Sequence, residues 1–303
     1  MTASSNNEQK LSSEKPRSSN KQKSDLTGYG CLYVVATPIG NLDDISERMR
    51  QTLAQVSKIA AEDTRRTRQL LSHIGVDTPC FSLHDHNERQ KLDSIVQQIK
   101  SGESIALVSD AGTPLISDPG YPLVARLREE GIQVTPIPGP CALITALSVA
   151  GLPSDRFIFE GFLAAKTNAR KQTFQRLKDE TGTLIFYESS HRIKACLADI
   201  SEVFGQDRRV VIARELTKTF ETILDDKVAG LISLLDEDPH QSKGEFVVMV
   251  KGAEKNKQEL SPEALKLAEM LTEYLPGKQA AKIAADFYGT KKNLLYRYLL
   301  DKQ

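Results

Sequence analysis

Short apolar runs alternate along this chain with stretches in which apolar residues return every three or four positions. The runs CLYVVAT (31–37), KIAAEDT (58–64), CFSLH (80–84), SIALVSD (104–110) and IQVTPIPGP (132–140) predict strands. CLYVVAT is almost continuously apolar, as a strand covered on both faces requires. Residues 44–56 carry apolar side chains at 45, 49, 53 and 56, a helical spacing. Residues 68–75, 89–102, 121–131 and 142–151 predict further helices, with Gly75, Gly102 and Gly131 as stops. Strands alternating with helices in this way predict a parallel sheet flanked by helices.

A second block has strand-like runs at RFIFEGFL (156–163), GTLIFYES (182–189), RRVVIARELT (208–217), TFETIL (219–224) and KGEFVVMVKG (243–252). Helices are predicted over 170–180 and 191–205. The short gap between RRVVIARELT and TFETIL predicts a hairpin, and so a mixed sheet. Residues 252–264 read as a polar linker, and the remainder is helical, broken at Pro276-Gly277 and at Gly289. Short helices across such turns resemble a helix-turn-helix. The expected organisation is a disordered polar tail over 1–27, an α/β domain with a parallel sheet over 28–150, a second α/β domain with a mixed sheet over 151–252, and a helical tail over 253–303.

Composition narrows the class. The chain has 303 residues, 40% hydrophobic and 26% charged, which suits a soluble protein of two domains or two plus a small third. No apolar run approaches a membrane span, and the polar start has no apolar core of a secretory signal. Formal net charge is zero, so contact with a polyanion must come from local patches. From Lys278 to Gln303 there are six Lys/Arg against two Asp, which fits either a helical cap or a surface that holds RNA. Cys31, Cys80, Cys141 and Cys196 show no CxxC spacing, which fits a reduced cytosolic setting without a zinc or redox motif.

Three predicted strands end in similar punctuation: Thr37-Pro-Ile-Gly-Asn41, Ser109-Asp-Ala-Gly-Thr-Pro114 and Pro138-Gly-Pro140. In a parallel sheet these loops leave from one edge, where open α/β sheets bind ligands. Glycine admits a ligand close to backbone, and proline holds a loop in one shape. No GxGxxG follows a strand and no P-loop occurs, which disfavours NAD and ATP and suits an adenosyl group held mainly by backbone. In AEDTRRTRQLL (61–71), acidic residues at a strand end precede Arg65, Arg66 and Arg68. The acids suit a helix N-terminus; the arginines oppose its dipole and make better sense facing an anion such as RNA phosphate. In YESSHR (187–192), Ser189 or Ser190 can cap the following helix. His84-Asp-His86 lacks further ligands and reads as a loop, and the absence of GxSxG argues against acyl transfer.

VVATPIGNLDDIS, AEDTRRTRQLL, SDAGTPLISDPGYPLV, PGPCALITALSVAGLPSDRFIFEGFL, FYESSHRI and ARELTKTFE, in that order, resemble the tetrapyrrole methylase superfamily, in its branch acting on ribosomal RNA. The resemblance runs from about Cys31 to Gly252, with a matching helical tail. It implies a tetrapyrrole-methylase-like α/β fold, two α/β domains with the cofactor S-adenosyl-L-methionine in the cleft between them, plus a small C-terminal helical domain. It implies a cytoplasmic homodimer that methylates the ribose 2′-hydroxyl of a cytidine in the decoding region of small-subunit (16S) ribosomal RNA. The partner is that RNA or the assembled small subunit; no metal, membrane or DNA is expected. Carried over position by position, the cofactor contacts are Pro38, Gly40, Asp110, Gly112, Thr113, Ile116, Pro140, Cys141, Ala142, Tyr187 and Leu216. Glu62, Asp63 and His191 are unranked candidates for removing the hydroxyl proton. Arg65, Arg66, Arg68, Lys166, Arg192 and Lys218 are candidates for holding RNA phosphates.

The chain departs from the family pattern at Cys141, usually Ser, at Ser190, usually Pro, and at Ala164, usually Pro. Several relatives read Gly-Asp-Pro where Gly112-Thr113-Pro114 stands, so a hydroxyl replaces a carboxylate there. The other readings are a methyltransferase of a small tetrapyrrole, which needs no basic tail, and a non-catalytic RNA-binding protein.

Overall fold

The computed structural model describes residues 28–254 and 260–302. The tail expected over 1–27 lies outside the described residues, as does part of the linker. The chain divides into two compact units: one up to Ala36 with Ser46–Pro138, the other Thr37–Ile45 with the chain from Gly139 on.

The first unit runs β1 (Leu32–Val35), α1 (Glu47–Gln55), β2 (Lys58–Ala61), α2 (Thr64–His73), β3 (Cys80–Ser82), α3 (Glu88–Lys100), β4 (Ile105–Val108), α4 (Tyr121–Glu129) and β5 (Val134–Ile137). Its five strands form one sheet in the order β3-β2-β4-β1-β5, and every pairing is parallel. All four residues of β4 are buried, which accounts for its unbroken apolar sequence. Leu32, Ile95, Ile99, Ile105, Leu107, Leu123 and Leu127 share one core. Each such side chain contributes roughly 1.5–3 kcal/mol on burial. Because β4, β1 and β5 are adjacent and parallel, their carboxyl ends open on one edge, as the three loop motifs predict.

The strand and helix ends differ from the expectation by a few residues, and one shift traces to a single side chain. KIAAEDT is strand only to Ala61, and the helix expected from 68 begins at Thr64. Asp63 is the reason: its carboxylate accepts the Arg65 N–H at 2.8 Å and caps the helix four residues early.

The second unit runs α5 (Ala142–Val149), β6 (Phe157–Phe162), α6 (Thr167–Arg176), β7 (Thr183–Ser189), α7 (Ile193–Phe204), β8 (Arg209–Arg214), β9 (Thr222–Lys227), α8 (Val228–Glu237), β10 (Glu245–Val250), α9 (Pro262–Thr272), α10 (Gly277–Tyr288) and α11 (Lys292–Asp301). Its sheet has the order β6-β7-β10-β8-β9. β6 and β7 are parallel, and the other pairs are antiparallel. β8 and β9 form the hairpin that their spacing predicts, although β9 starts at Thr222 rather than 219. The intervening residues turn instead, with Glu215 and Thr217 at positive φ. α8, VAGLISLLDE, escaped the sequence reading; Val228, Leu231 and Leu235 bury its inner face. α5 follows the first block in sequence yet packs in the second unit, where the Leu143 N–H donates to the Tyr187 hydroxyl at 3.2 Å. α9, α10 and α11 have a small core of their own, built on Ala264, Ala268, Ala280, Ala281, Ala284, Ala285, Leu295 and Leu299. Ser261 caps α9 by accepting the Ala264 N–H, with Pro262 in the first turn, and Gly289 ends α10 in the left-handed conformation.

Candidate active site

In the first unit the ends of β2 and β4 are tied by a reciprocal exchange. The Asp110 N–H donates to the Glu62 carboxylate at 3.2 Å, and the Asp63 N–H donates to the Asp110 carboxylate at 3.0 Å. Arg66 adds an ion pair to Asp110 at 3.4 Å. Side chains from two neighbouring strand ends are thus held by backbone, which fixes their positions better than a side-chain pair alone.

The loop from Ser109 to Gly120 is pinned at both ends. Ser109 is buried, and its hydroxyl oxygen lies 3.4 Å from the Ala111 carbonyl oxygen and 3.5 Å from that of Gly112. At the far end the buried carboxylate of Glu88 accepts the N–H groups of Gly120 at 3.3 Å and Leu123 at 3.2 Å. Glu88 opens α3 and caps α4, as a carboxylate at a helix N-terminus should. Gly120 has φ +122°, and a Cβ there would lie 2.6 Å from Leu107 Cδ2, so only glycine fits. Between the pins, Leu115 and Ser117 hold φ of 72° and 67° on either side of Ile116. Left-handed backbone at a bulky residue is costly and persists where surrounding structure imposes it.

The same arrangement recurs in the second unit. Glu215 (φ 51°) and Thr217 (φ 63°) bracket Leu216. The Glu215 carboxylate accepts the Glu245 N–H at 3.0 Å and pairs with Lys218 at 2.9 Å, and the Thr217 N–H donates to Glu221 at 2.6 Å. Gly40 approaches this turn so closely that a Cβ would lie 2.5 Å from Lys218 Cγ, 2.8 Å from Thr217 Oγ1 and 2.9 Å from the Leu216 carbonyl oxygen. Gly40 and Leu216, far apart in sequence, are therefore neighbours, with Pro38 in the same short segment.

Tyr187 organises the start of α5. Cys141 is the N-cap residue but makes no side-chain cap bond; the Tyr187 hydroxyl accepts the Leu143 N–H in its place. Its ring packs edge-on against Phe159 and Phe162, at 4.9 and 5.4 Å between centroids. Pro140, Cys141 and Ala142 therefore lie at a helix start anchored by Tyr187.

The carboxyl groups differ sharply. Burial pushes Glu62 up, against the backbone bond from Asp110 and with repulsion from Asp110 and Asp85. Burial pushes Asp118 to about 6, a hydrogen bond from Ser109 opposing and Glu62, Asp110 and Asp85 adding. Asp63 is held at about 2 by its bonds from Arg65. At neutral pH Asp63 is a poor proton acceptor, whereas Glu62 is poised to be a better one. His191 sits exposed on the turn between β7 and α7, in the other unit.

The cationic residues divide as well. Arg65 and Arg66 stand against the dipole of α2 because Asp63 and Asp110 neutralise them, which answers the sequence argument for a facing anion. Arg68 and Lys166 are exposed. Arg192 turns inward, paired at 2.8 Å with the buried Glu188 and donating to the Leu163 carbonyl. Lys218 bridges Glu215 and Glu245. Sequence reasoning missed Asp118 and Glu88, whose roles depend on burial, and the buried pair Arg170–Asp199, whose members are 29 positions apart. Asp118 lay inside a motif already singled out; a second carboxylate in so short a loop was the available signal. His84 and His86 touch edge-on at 5.9 Å. Among the described residues no group of three or more His, Cys, Asp or Glu is arranged to hold a metal, and no helix is long and apolar enough to cross a membrane.

The sequence profile of the tetrapyrrole (corrin/porphyrin) methylases matches residues 31–232, and that of the RsmI C-terminal HTH domain matches residues 258–303. Ribosomal RNA small subunit methyltransferase I of Haemophilus influenzae is 54% identical over 276 residues, 90% of this chain and 97% of the relative. The protein of that name from Escherichia coli O157:H7 is 53% identical, covering 90% and 96%, and that from Pseudomonas aeruginosa is 51% identical, covering 90% and 98%. Among solved structures, the methyltransferase CobJ superposes with a TM-score of 0.55 at 18% identity, over 74% of this chain and 95% of that one. Diphthine synthase gives 0.54 at 14%, over 73% and 89%; these two likenesses establish the fold. The chain, with its two sheets, its strand-end loops and its helical C-terminal domain, belongs to the tetrapyrrole (corrin/porphyrin) methylase family.

Proposed function

We propose that this chain is an S-adenosyl-L-methionine-dependent methyltransferase that methylates the ribose 2′-hydroxyl of a cytidine in the decoding region of small-subunit ribosomal RNA. The observation that carries this reading is identity above 50% along nine-tenths of the chain with relatives named ribosomal RNA small subunit methyltransferase I. The matched C-terminal domain supports it, since a methylase of a small macrocycle has no need of one.

The residues suit the cofactor. Gly40 is pressed against the Leu216 carbonyl and the side chains of Thr217 and Lys218, which any side chain at 40 would displace. Ile116 and Leu216 are each held between left-handed residues, a cost that a binding site justifies. When bound, S-adenosyl-L-methionine supplies a methyl group on a positively charged sulfur. We assign its contacts to Pro38, Gly40, Asp110, Gly112, Thr113, Ile116, Pro140, Cys141, Ala142, Tyr187 and Leu216. The protein's contribution is chiefly alignment, and rigid loops serve it best. Glu62 accepts the hydroxyl proton: one carboxylate oxygen is occupied by the Asp110 N–H, and burial raises its basicity. Arg68 and Lys166 hold phosphates, while Arg192 supports the site through Glu188. The resemblance further points to a cytoplasmic homodimer, which sedimentation measures directly.

The deciding experiment supplies methyl-labelled S-adenosyl-L-methionine with small ribosomal subunits, free ribosomal RNA or a porphyrinogen. Label on a cytidine ribose is expected. Label on the macrocycle would replace the reading with a tetrapyrrole methylase, and no label on any acceptor would reduce the chain to an RNA-binding protein.

A further inference from the structure

The outward face of α10 is unlike that of an ordinary surface helix. Residues 278–287 read KQAAKIAADF, pairs of larger residues alternating with pairs of alanine. The alanines 280, 281, 284 and 285 are buried against the neighbouring helices. Lys278, Gln279, Lys282, Ile283, Asp286 and Phe287 are all exposed, at the i, i+1, i+4, i+5 spacing of a single helix face. The usual distribution is inverted: the smallest apolar residues face the core, while Ile283 and Phe287 stand 46% and 75% exposed. Alanine lets the helix sit close to α9 and α11, so its larger side chains project toward solvent.

Charge narrows what meets this face. Lys278 and Lys282 flank the apolar pair on one side, and Lys291 and Lys292 follow it at the turn into α11. Among the described residues, none of these four lysines takes part in an ion pair, whereas Lys302 of the same domain is tied to Glu269. Asp286 is the one acid on the face. Unpaired lysines beside an exposed aromatic ring match single-stranded nucleic acid, whose phosphates take the cations and whose bases stack on the ring.

We propose that this face of α10 is an RNA-docking surface: Lys278 and Lys282 contact phosphates of an unpaired stretch of RNA, and a base stacks on Phe287. The proposal rests on the reading of the chain as a ribosomal RNA methyltransferase and specifies where the substrate is gripped away from the reacting group.

The test uses the full chain and a fluorescein-labelled single-stranded oligouridylate, with anisotropy followed over a range of salt concentrations. Lys278→Ala with Lys282→Ala should weaken binding about ten-fold at low salt. It should also reduce the slope of log K against log salt by about 1.4, since each lost contact to single-stranded phosphate removes about 0.7. Phe287→Ala should weaken binding about ten-fold, as loss of one stacked base does, and Phe287→Tyr should restore it. All six positions of this face are exposed, so affinity for S-adenosyl-L-methionine and the thermal midpoint should not move, which separates lost docking from lost folding. Unchanged affinity and slope in every variant would overturn the proposal. So would a wild-type chain that binds no oligouridylate, or weaker binding that sedimentation traces to dissociation of paired copies. Methyl transfer by the wild type to small subunits is measured alongside. Label on the ribose with RNA affinity unmoved by the variants removes the docking surface alone. Absence of label removes the functional reading, and the anisotropy series still decides the surface.

Discussion

At Tyr187 one hydroxyl replaces a cap that the sequence lacks. Cys141 cannot accept a backbone N–H well, and the phenol of a strand residue 44 positions away takes the Leu143 N–H. Tyr187→Phe keeps the ring packing on Phe159 and Phe162 and removes the hydroxyl that accepts this N–H. It should cost about 1 kcal/mol, read as a lower denaturant midpoint at unchanged slope. Asp118 makes a prediction of opposite character. Its pKa of about 6 in the folded chain stands above its ordinary 3.8. Between those values the folded chain holds a proton that the unfolded chain releases. This contribution to stability is therefore complete below about pH 4 and is lost as pH rises through about 6. Asp118→Asn should flatten that limb of the profile of thermal midpoint against pH; an unaltered limb would show that the carboxyl is not strained by burial. Neither residue announced its role in the sequence, because a lone Tyr or Asp is defined by what surrounds it. The glycine, proline and aspartate of the loop itself were legible, since they fix backbone shape locally.

At the scale of elements, apolar periodicity located most strands and helices, and local chemistry moved their ends. Asp63 starts α2 early, and the left-handed pair Glu215 and Thr217 delays β9. The contact of α6 with α7 was not legible. Arg170 is 1% exposed and donates to Asp199 at 2.7 Å, while also donating to the carbonyls of Ala164 and Ala165. It thus ties the loop before α6 to α7. Arg170→Ala takes away the short buried pair and leaves Asp199 only the Lys171 ammonium at 3.7 Å, and should destabilise the fold by about 3 kcal/mol. Replacing both members, Arg170→Met with Asp199→Leu, should recover most of that loss. Equilibrium unfolding of the single and paired variants checks both statements. If the single change were mild, Lys171 would be holding the Asp199 charge by itself, and Lys171→Ala in the same background would expose the loss.

At the scale of the whole molecule, net charge is zero while the C-terminal helices carry a local excess of lysine and arginine. Those helices have a core drawn from their own residues, with Leu260, Leu265, Leu267, Leu271, Tyr296 and Tyr298 packed around it. A chain ending at Glu254 should therefore keep its affinity for S-adenosyl-L-methionine and the cooperative unfolding of its sheets. Its affinity for single-stranded RNA should fall at least as far as in the α10 lysine variants, by about ten-fold or more. Calorimetric titration and anisotropy measure the two; loss of cofactor affinity on truncation would show that the helices support the site directly.

The sequence by itself determined the class of fold, the order of most elements, the loops at the ends of β1, β4 and β5, and the helical breaks at Pro276 and Gly289. All of these follow from short-range patterns: period of burial, turn chemistry, and the restricted backbone of glycine and proline. The tertiary structure alone decided which distant residues became partners. It set Gly40 against Leu216, Tyr187 on the start of α5, Glu88 under the start of α4, and Asp118 among other carboxylates. Those pairings arise when the strands take their places in each sheet, and burial then changes what a given carboxyl or hydroxyl can do.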